Sequence, residues 1–152
     1  RKTALLIASS CQLGAISAGV EERIHQKLFK FGYYVGMSYQ ITDDILDFTA
    51  SEEELGKPAG SDLIQGNITL PVLIAMEDPK LKKLIETVRE DTPKDEMSHI
   101  INAIKTSGAI EQAARISDMY LEKAFTELKG LPAIKARKTL SDIAKNIGKR
   151  KF

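Results

Sequence analysis

Cysteine, tryptophan and excess charge are what this sequence most clearly lacks. Its 152 residues include one cysteine, Cys11, and no tryptophan. A single cysteine excludes an internal disulfide framework and fits a reducing compartment, so we expect a cytoplasmic protein. The 22 Lys and Arg residues are balanced by 21 Asp and Glu residues, which leaves a net charge of +1. Proteins that bind nucleic acid usually carry a basic excess, and we therefore expect no nucleic-acid partner.

Long hydrophobic runs are also absent, although residues 3–20 carry no charge. The uninterrupted apolar run in that segment covers only residues 4–8, and serines, Gln12 and glycines follow it. The segment is therefore short for the apolar centre of a signal peptide and polar for a membrane-spanning helix. We expect no transmembrane segment and interpret residues 3–20 as a buried helix of a bundle. A signal peptide and a membrane span are the alternative interpretations.

Apolar residues recur at helical spacing along most of the chain, and alternating strand patterns are scarce. With 43% hydrophobic and 28% charged residues, the composition is typical of one folded domain. We therefore predict an all-α fold, a helical bundle in which residues 1–152 form a single domain or half of one. Between the helices, residues 51–67 are predicted to form a long loop, and such loops are usually functional. The predicted helices cover residues 2–18, 21–48, 70–75, 79–89, 93–107, 109–129 and 132–147.

Three aspartates, Asp43, Asp44 and Asp47, stand near the end of the second predicted helix, although aspartate is unfavourable inside helices. Asp43 and Asp47 share one helix face, where like charges cost about 0.2–0.5 kcal/mol, so a cation is their natural partner. No Lys or Arg occurs in residues 31–50. The expected cation is Mg²⁺, which prefers oxygen ligands, and Gln40 lies one turn earlier on the same side. An exposed acidic helix end is the alternative interpretation.

Two basic elements fit the binding of an anion. Lys57 lies in the long loop, where the following residue, Pro58, favours an extended conformation. Lys2 and Thr3 open the first predicted helix, and free N–H groups at a helix start attract phosphate. Each of these residues taken singly is typical of solvated surface, so only their combination indicates a site.

In their order along the chain, these motifs resemble those of the trans-prenyl diphosphate synthase family. The resemblance extends over about residues 1–75, and the rest of the chain agrees in being helical. The exit from the loop, residues 66–71, is similar to that of the catalytic subunits of bacterial hexaprenyl and heptaprenyl diphosphate synthases. The matching parts are Lys2-Thr3-Ala4, Gly36-xxx-Gln40-xx-Asp43-Asp44-xx-Asp47, Gly56-Lys57 and Asp62-Leu63-xx-Gly66-xx-Thr69-Leu70-Pro71.

The resemblance implies an isoprenoid-synthase-type helical bundle that elongates prenyl chains. In this family Mg²⁺ promotes ionisation of an allylic prenyl diphosphate, isopentenyl diphosphate adds to the allylic cation, and a proton leaves. The product is a longer trans-polyprenyl diphosphate, as required for the side chain of a menaquinone or ubiquinone. For this sequence the resemblance implies that Asp43, Asp44 and Asp47 bind the metal. It implies that the substrate is bound by Lys2, Thr3, Gln40 and Lys57. The catalytic residues that it implies are Asp43, Asp44 and Lys57.

The sequence departs from the family pattern in two places. Many members have lysine where this chain has Asn67, so that position lacks the charge. The family uses two facing aspartate-rich motifs and only the second is found here, which implies the C-terminal half of a synthase, inactive alone. We therefore expect either a homo- or hetero-oligomer, with a small accessory subunit as one option, or a chain that ordinarily carries its N-terminal half. In each case other protein covers the first helix. The residues expected to be covered are Leu5, Leu6, Ile7, Leu13 and Ile16.

Two other classes of helical protein are the alternatives. A terpene cyclase fragment would share the all-α fold, but its second metal motif continues with Ser or Thr and then Glu, each one helical turn further on. This chain has Asp47 and Ser51 at those positions. A non-catalytic helical partner subunit of a heteromeric synthase would have no chemical reason to retain the aspartates together with Gln40 and Lys57. We therefore predict an enzyme, a prenyltransferase.

Overall fold

The computed structural model describes residues 2–51, 53, 56 and 58–149. In these ranges the regular structure is helical and no strand occurs, which confirms the predicted all-α fold. Within the same residues, no helix combines the length and the apolar character needed to cross a membrane. The helices, labelled in chain order, are α1 (Lys2–Ser17), α2 (Glu22–Thr49), α3 (Ser61–Ile64), α4 (Leu70–Ala75), α5 (Pro79–Ile85), α6 (Lys94–Thr106), α7 (Ala109–Lys129) and α8 (Lys135–Gly148).

Three features differ from the sequence prediction by more than one residue. The predicted loop contains the short helix α3, which begins directly after Gly60. Helix α5 ends at residue 85 rather than 89, and the hydroxyl of Thr87 donates a hydrogen bond to the carbonyl of Leu84 there. Helix α8 begins at residue 135 rather than 132 because the preceding residues form a turn, to which Arg137 donates a hydrogen bond at the carbonyl of Leu131. Helices α5 and α8 are thus shorter at these ends than apolar spacing alone indicates, and a side chain donates a hydrogen bond to a backbone carbonyl at each end.

The chain forms two compact units, the first from residues 1–42 and 116–151 and the second from residues 43–115. Helix α2 contributes residues to both units. The expectation of a single domain or half-domain stays a prediction.

In the first unit, α1 packs closely on α2 through small residues. A Cβ atom added to Gly36 would lie 2.6 Å from the Cα atom of Ala4, and one added to Gly32 would lie 2.8 Å from the Cα atom of Ala8. These distances are shorter than van der Waals contact, so the approach of the two backbones requires glycine at both positions. Helix α1 therefore turns its alanines toward α2.

The opposite face of α1 exposes large apolar side chains. Leu6 is 64% exposed, and Ile7 is the one member of the predicted set that is half-buried. The interpretation of α1 as a buried helix therefore holds only for its small residues within this chain. Covering of the large residues by other protein stays a prediction. The exposed members of the set are Leu5, Leu6, Leu13 and Ile16.

The remainder of the first unit is built around α2, α7 and α8. Polar groups are also buried between α2 and α7, where the Oγ atoms of Ser38 and Ser117 lie 2.9 Å apart and Thr42 Oγ1 lies 3.2 Å from Ser117 Oγ. These hydrogen bonds satisfy hydroxyl groups that would otherwise be costly to bury. The apolar core consists of Phe31, Val35, Ala124, Leu128, Leu131 and Ala144.

The second unit buries the C-terminal part of α2. Ile45 and Phe48 are almost completely shielded from solvent, and Val72 of α4 and Ile100 and Ile104 of α6 are shielded to the same extent. Helices α4, α5 and α6 pack against one another. This core holds the last turns of α2, which carry the three aspartates.

Candidate functional site

The three aspartates of α2 differ sharply in exposure. Asp43 is exposed and Asp44 is half-buried, whereas Asp47 is only 1% exposed. Across the part of the chain that the structure describes, no group of three or more His, Cys, Asp or Glu side chains is arranged to hold a metal ion. Magnesium is commonly held by one or two carboxylates together with substrate phosphates, so Asp43 and Asp44 fit this chemistry. Metal binding by each of the three aspartates stays a prediction.

Asp47 contacts the start of α3 with both of its carboxylate oxygens. The hydroxyl of Ser61 donates a hydrogen bond to Oδ1 at 3.0 Å, and the backbone N–H of Asp62 donates to Oδ2 at 3.2 Å. The backbone carbonyl of Asp47 also accepts a hydrogen bond from the N–H of Gly60 at 2.8 Å. Together these contacts attach Gly60 and the first residues of α3 to the last turns of α2.

The local sequence explains why a distant carboxylate is needed at this point. Gly60, which precedes α3, has a φ angle of +71°, a left-handed conformation that favours glycine. A Cβ atom there would also lie 3.0 Å from side-chain atoms of Met97 and Ile101. Because glycine has no side chain, it cannot cap the first N–H groups of the helix. Asp47 supplies this cap from a different helix, and its negative charge is favourable at a helix start.

In the first unit, the structure brings together two of the predicted substrate-binding residues. The hydroxyl of Thr3 donates a hydrogen bond to Oε1 of Gln40 at 2.9 Å. Lys2 is the first residue of α1 and is exposed. Its positive charge favours an anion at this end of α1. Lys57 lies outside the described residues, so its predicted roles stay predictions.

Two structural contacts are not predicted from the sequence. The sequence motifs assign no role to Ser61, although serine and aspartate are common at the start of a helix. The contact between Ser38 and Ser117 joins residues 79 positions apart, and no local pattern links them. Each contact depends on how the chain folds back on α2, which periodicity does not reveal.

Comparison with known proteins decides the family. The family model described as Polyprenyl synthetase matches residues 1–105, more than half of the chain. The chain belongs to the polyprenyl synthetase family. Membership in this family confirms the resemblance drawn from the ordered motifs in residues 1–75.

One curated relative matches this chain over the whole length of the chain. Heptaprenyl diphosphate synthase component 2 of Bacillus subtilis (strain 168) is 59% identical over 152 residues. The match covers 100% of this chain but 44% of the relative. The chain thus spans less than half the length of the curated relatives it matches.

Solved structures of similar proteins confirm the isoprenoid-synthase-type fold. Heptaprenyl diphosphate synthase from Staphylococcus aureus matches with a TM-score of 0.95 and 42% identity, over 99% of this chain and 48% of that protein. A polyprenyl synthase from Caulobacter crescentus CB15, complexed with calcium and isoprenyl diphosphate, matches with a TM-score of 0.87 and 31% identity. That match covers 99% of this chain and 47% of the Caulobacter protein.

Proposed function

We propose that this chain is part of a prenyltransferase that condenses an allylic prenyl diphosphate with isopentenyl diphosphate to form a longer trans-polyprenyl diphosphate. The family and the name of the Bacillus subtilis relative support this activity. The observation that carries the proposal is the exposed carboxylate of Asp43 beside the half-buried Asp44 on the last turns of α2. Because Asp43 is exposed, a cation from solvent can reach its carboxylate.

Mg²⁺ is the cation that we propose for Asp43 and Asp44. Carboxylate oxygens are the hard ligands that Mg²⁺ prefers, and diphosphate oxygens and water complete its coordination. The Caulobacter crescentus structure contains calcium, another divalent cation with the same preference, together with isoprenyl diphosphate. When bound, Mg²⁺ supplies positive charge that stabilises the departing diphosphate.

The remaining predicted site residues act on the substrate in this proposal. Lys2 and Lys57 attract the diphosphate by charge, and Thr3 and Gln40, joined by their hydrogen bond, orient it. The diphosphate leaves with the electron pair of the allylic C–O bond. The double bond of isopentenyl diphosphate supplies the electrons of the new C–C bond, and loss of a proton restores a double bond. Negative charge grows on the leaving group, so the lysines favour the transition state.

For Asp47 we propose a positioning role in place of metal binding. Its carboxylate is 1% exposed, and both oxygens accept hydrogen bonds from the first residues of α3. The segment between Asp47 and Ser61 includes Lys57, so the contact limits where that lysine can reach. In this proposal Asp43 acts on the metal and Asp47 acts on the loop.

We further propose that protein outside residues 1–152, either the rest of a longer chain or a separate subunit, covers the exposed apolar face of α1. Large exposed apolar patches are rare on monomeric proteins, and four large side chains of this helix are about half exposed or more. The name of the Bacillus subtilis relative, component 2, favours a small accessory subunit over a second copy. Light scattering during size exclusion, with and without coexpressed accessory protein, measures association with a separate subunit, and a stable monomer in both cases would contradict that alternative.

Incorporation of labelled isopentenyl diphosphate tests the proposed activity. The assay uses an active protein that contains this chain. We expect Asp43→Asn to lower turnover about 100-fold or more, with the circular dichroism spectrum unchanged, because the metal loses a ligand. Asp91→Asn is the matched control, since it makes the same chemical change at an exposed residue of a turn. Equal activity of the two variants would overturn the catalytic proposal.

A further inference from the structure

Positive charge is concentrated in the last part of the sequence. Residues 129–152 contain eight Lys or Arg residues and one aspartate, a net charge of +7, whereas the whole chain carries +1. The preceding 128 residues therefore carry −6. Such asymmetry indicates a local surface for an anionic partner, even though the chain as a whole is nearly neutral.

The described part of this segment surrounds an open hollow in the first unit. The hollow has a volume of about 740 Å³ and lies between the end of α7 and the first turns of α8. Five of its lining residues are cationic and one, Asp142, is acidic. We define the basic surface as these five cations and Ile134, that is Lys129, Ile134, Lys135, Arg137, Lys138 and Lys145.

The basic surface combines its cations with one exposed apolar side chain, that of Ile134. Ile134 is 60% exposed and stands directly before α8, next to Lys135. Leu128 and Phe125 line the hollow beneath the cations. Cations beside exposed apolar side chains are typical of surfaces that lie in the headgroup layer of a membrane.

The cations are spread out rather than converging on one point. Arg137 donates a hydrogen bond from Nη1 to the carbonyl of Leu131 at 3.0 Å, so part of its guanidinium serves the turn before α8. The Nζ atom of Lys145 lies 3.9 Å from Oδ1 of Asp142. Exposed ion pairs of this kind contribute little to stability. The lysines of the surface are all exposed. Separate, flexible ammonium groups suit a diffuse layer of anionic headgroups better than one bidentate anion.

Aromatic content argues against a single-stranded nucleic acid as the partner. Phe125 is the aromatic residue among those lining the hollow, and it is half-buried. Binding of single strands relies on exposed rings on which bases stack. A lipid surface requires no such rings, because charge and inserted apolar side chains provide the affinity.

We propose that the basic surface docks this protein on an anionic lipid bilayer, with Ile134 entering the headgroup layer. Lysines attract anionic headgroups within about one Debye length of the membrane. The proposal stands apart from the proposed enzymatic activity, since it rests on the charge and exposure of residues in α7, α8 and the turn between them.

Sedimentation with lipid vesicles tests the proposal on the intact protein. Vesicles of phosphatidylcholine with phosphatidylglycerol should bind the protein, and vesicles of phosphatidylcholine alone should not. The triple variant K135E/K138E/K145E should lose about 100-fold or more in apparent affinity. The control variant K80E/K82E/K83E reverses three exposed lysines of α5 and should bind like the unchanged protein. K135Q/K138Q/K145Q, checked by circular dichroism, shows whether loss of binding follows charge rather than misfolding.

Four results would overturn the proposal. One is equal binding to vesicles with and without phosphatidylglycerol. Another is equal loss of binding by the α8 and α5 triple variants, because net charge alone would then explain it. The third is binding of a single-stranded oligonucleotide at least as tight as binding of vesicles under the same conditions. Retained binding at about 1 M salt, where the Debye length is about 3 Å, would also contradict an electrostatic docking surface.

Discussion

The carboxylate of Asp47 and the hydroxyl of Ser61, 14 residues apart in sequence, are joined by a hydrogen bond of 3.0 Å. This contact connects the last turns of α2 to the first turn of α3 and so brings together the two ends of the segment between these helices. Asp43, one helical turn before Asp47, faces solvent instead. Two aspartates of one motif therefore have different environments, and several predictions depend on that difference.

The first prediction concerns the stability that Asp47 provides. Asp47→Ala leaves the Ser61 hydroxyl and the Asp62 N–H without their shared acceptor, so we expect a loss of about 3 kcal/mol in the free energy of unfolding. Ser61→Ala should cost about 1–2 kcal/mol. Urea unfolding of both single variants and the double variant measures the coupling, which should be about 1 kcal/mol.

Ser98→Ala is the control for this cycle. The Ser98 hydroxyl is exposed and donates only within its own helix, to the carbonyl of Lys94. We expect its replacement to change stability by less than about 0.5 kcal/mol and to be additive with Asp47→Ala. Additivity of Asp47→Ala and Ser61→Ala would show that the hydrogen bond contributes nothing of its own.

The second prediction separates metal binding from loop positioning. In an active protein that contains this chain, Asp43→Asn should raise the Mg²⁺ concentration needed for half-maximal activity. Asp47→Asn should lower activity without changing that concentration, because both of its carboxylate oxygens accept hydrogen bonds from α3. Activity titrated against Mg²⁺ for both variants is the measurement. An equal shift for Asp43→Asn and Asp47→Asn would assign Asp47 to the metal, whereas no shift for either would remove metal binding from this motif.

The third prediction concerns the contact between α1 and α2. Gly36→Ala places a methyl group 2.6 Å from the Cα atom of Ala4, so the helices must move apart. We expect a loss of about 1–3 kcal/mol in stability, measured by urea unfolding. Gly14→Ala is the matched control, because Gly14 lies inside α1 with no atom within 4 Å of the added methyl group. It should stabilise the protein by up to about 1 kcal/mol through helix propensity.

The fourth prediction concerns the single cysteine. Burial raises the pKa of the Cys11 thiol above its ordinary value of 9.0. The folded chain therefore keeps this proton to higher pH than the unfolded chain, and stability should fall as the pH rises above the unfolded pKa. Urea unfolding between about pH 8 and about pH 10 should show a smaller decrease for Cys11→Ala than for the unchanged protein. Parallel decreases would contradict the prediction.

Alkylation gives an independent measurement at the same residue. Thiolate is the reactive form of cysteine, so iodoacetamide should modify Cys11 more slowly in the folded chain than in the urea-unfolded chain at the same pH. Equal rates in the two states would show that burial does not protect the thiol.

Much of the helical architecture could be predicted from the sequence. Apolar spacing located α2 and α7 nearly to the residue, and glycine and proline marked most of their ends. The short helix α3 could not be found this way, because its four residues are too few to show a period. It is stable because Asp47 caps it from α2, a contact that depends on the path of the intervening loop.

The sequence by itself determined the helical class, the family and the placing of three aspartates at the end of one helix. Only the tertiary structure decided which of the three aspartates is exposed to solvent. Spacing on a helix sets the direction of each side chain about the helix axis, so it groups Asp43 with Asp47. It contains no information on which part of that face a neighbouring element covers. Since α3 packs beside the last turn alone, Asp47 is buried as a cap while Asp43, on the same face, remains open to a cation.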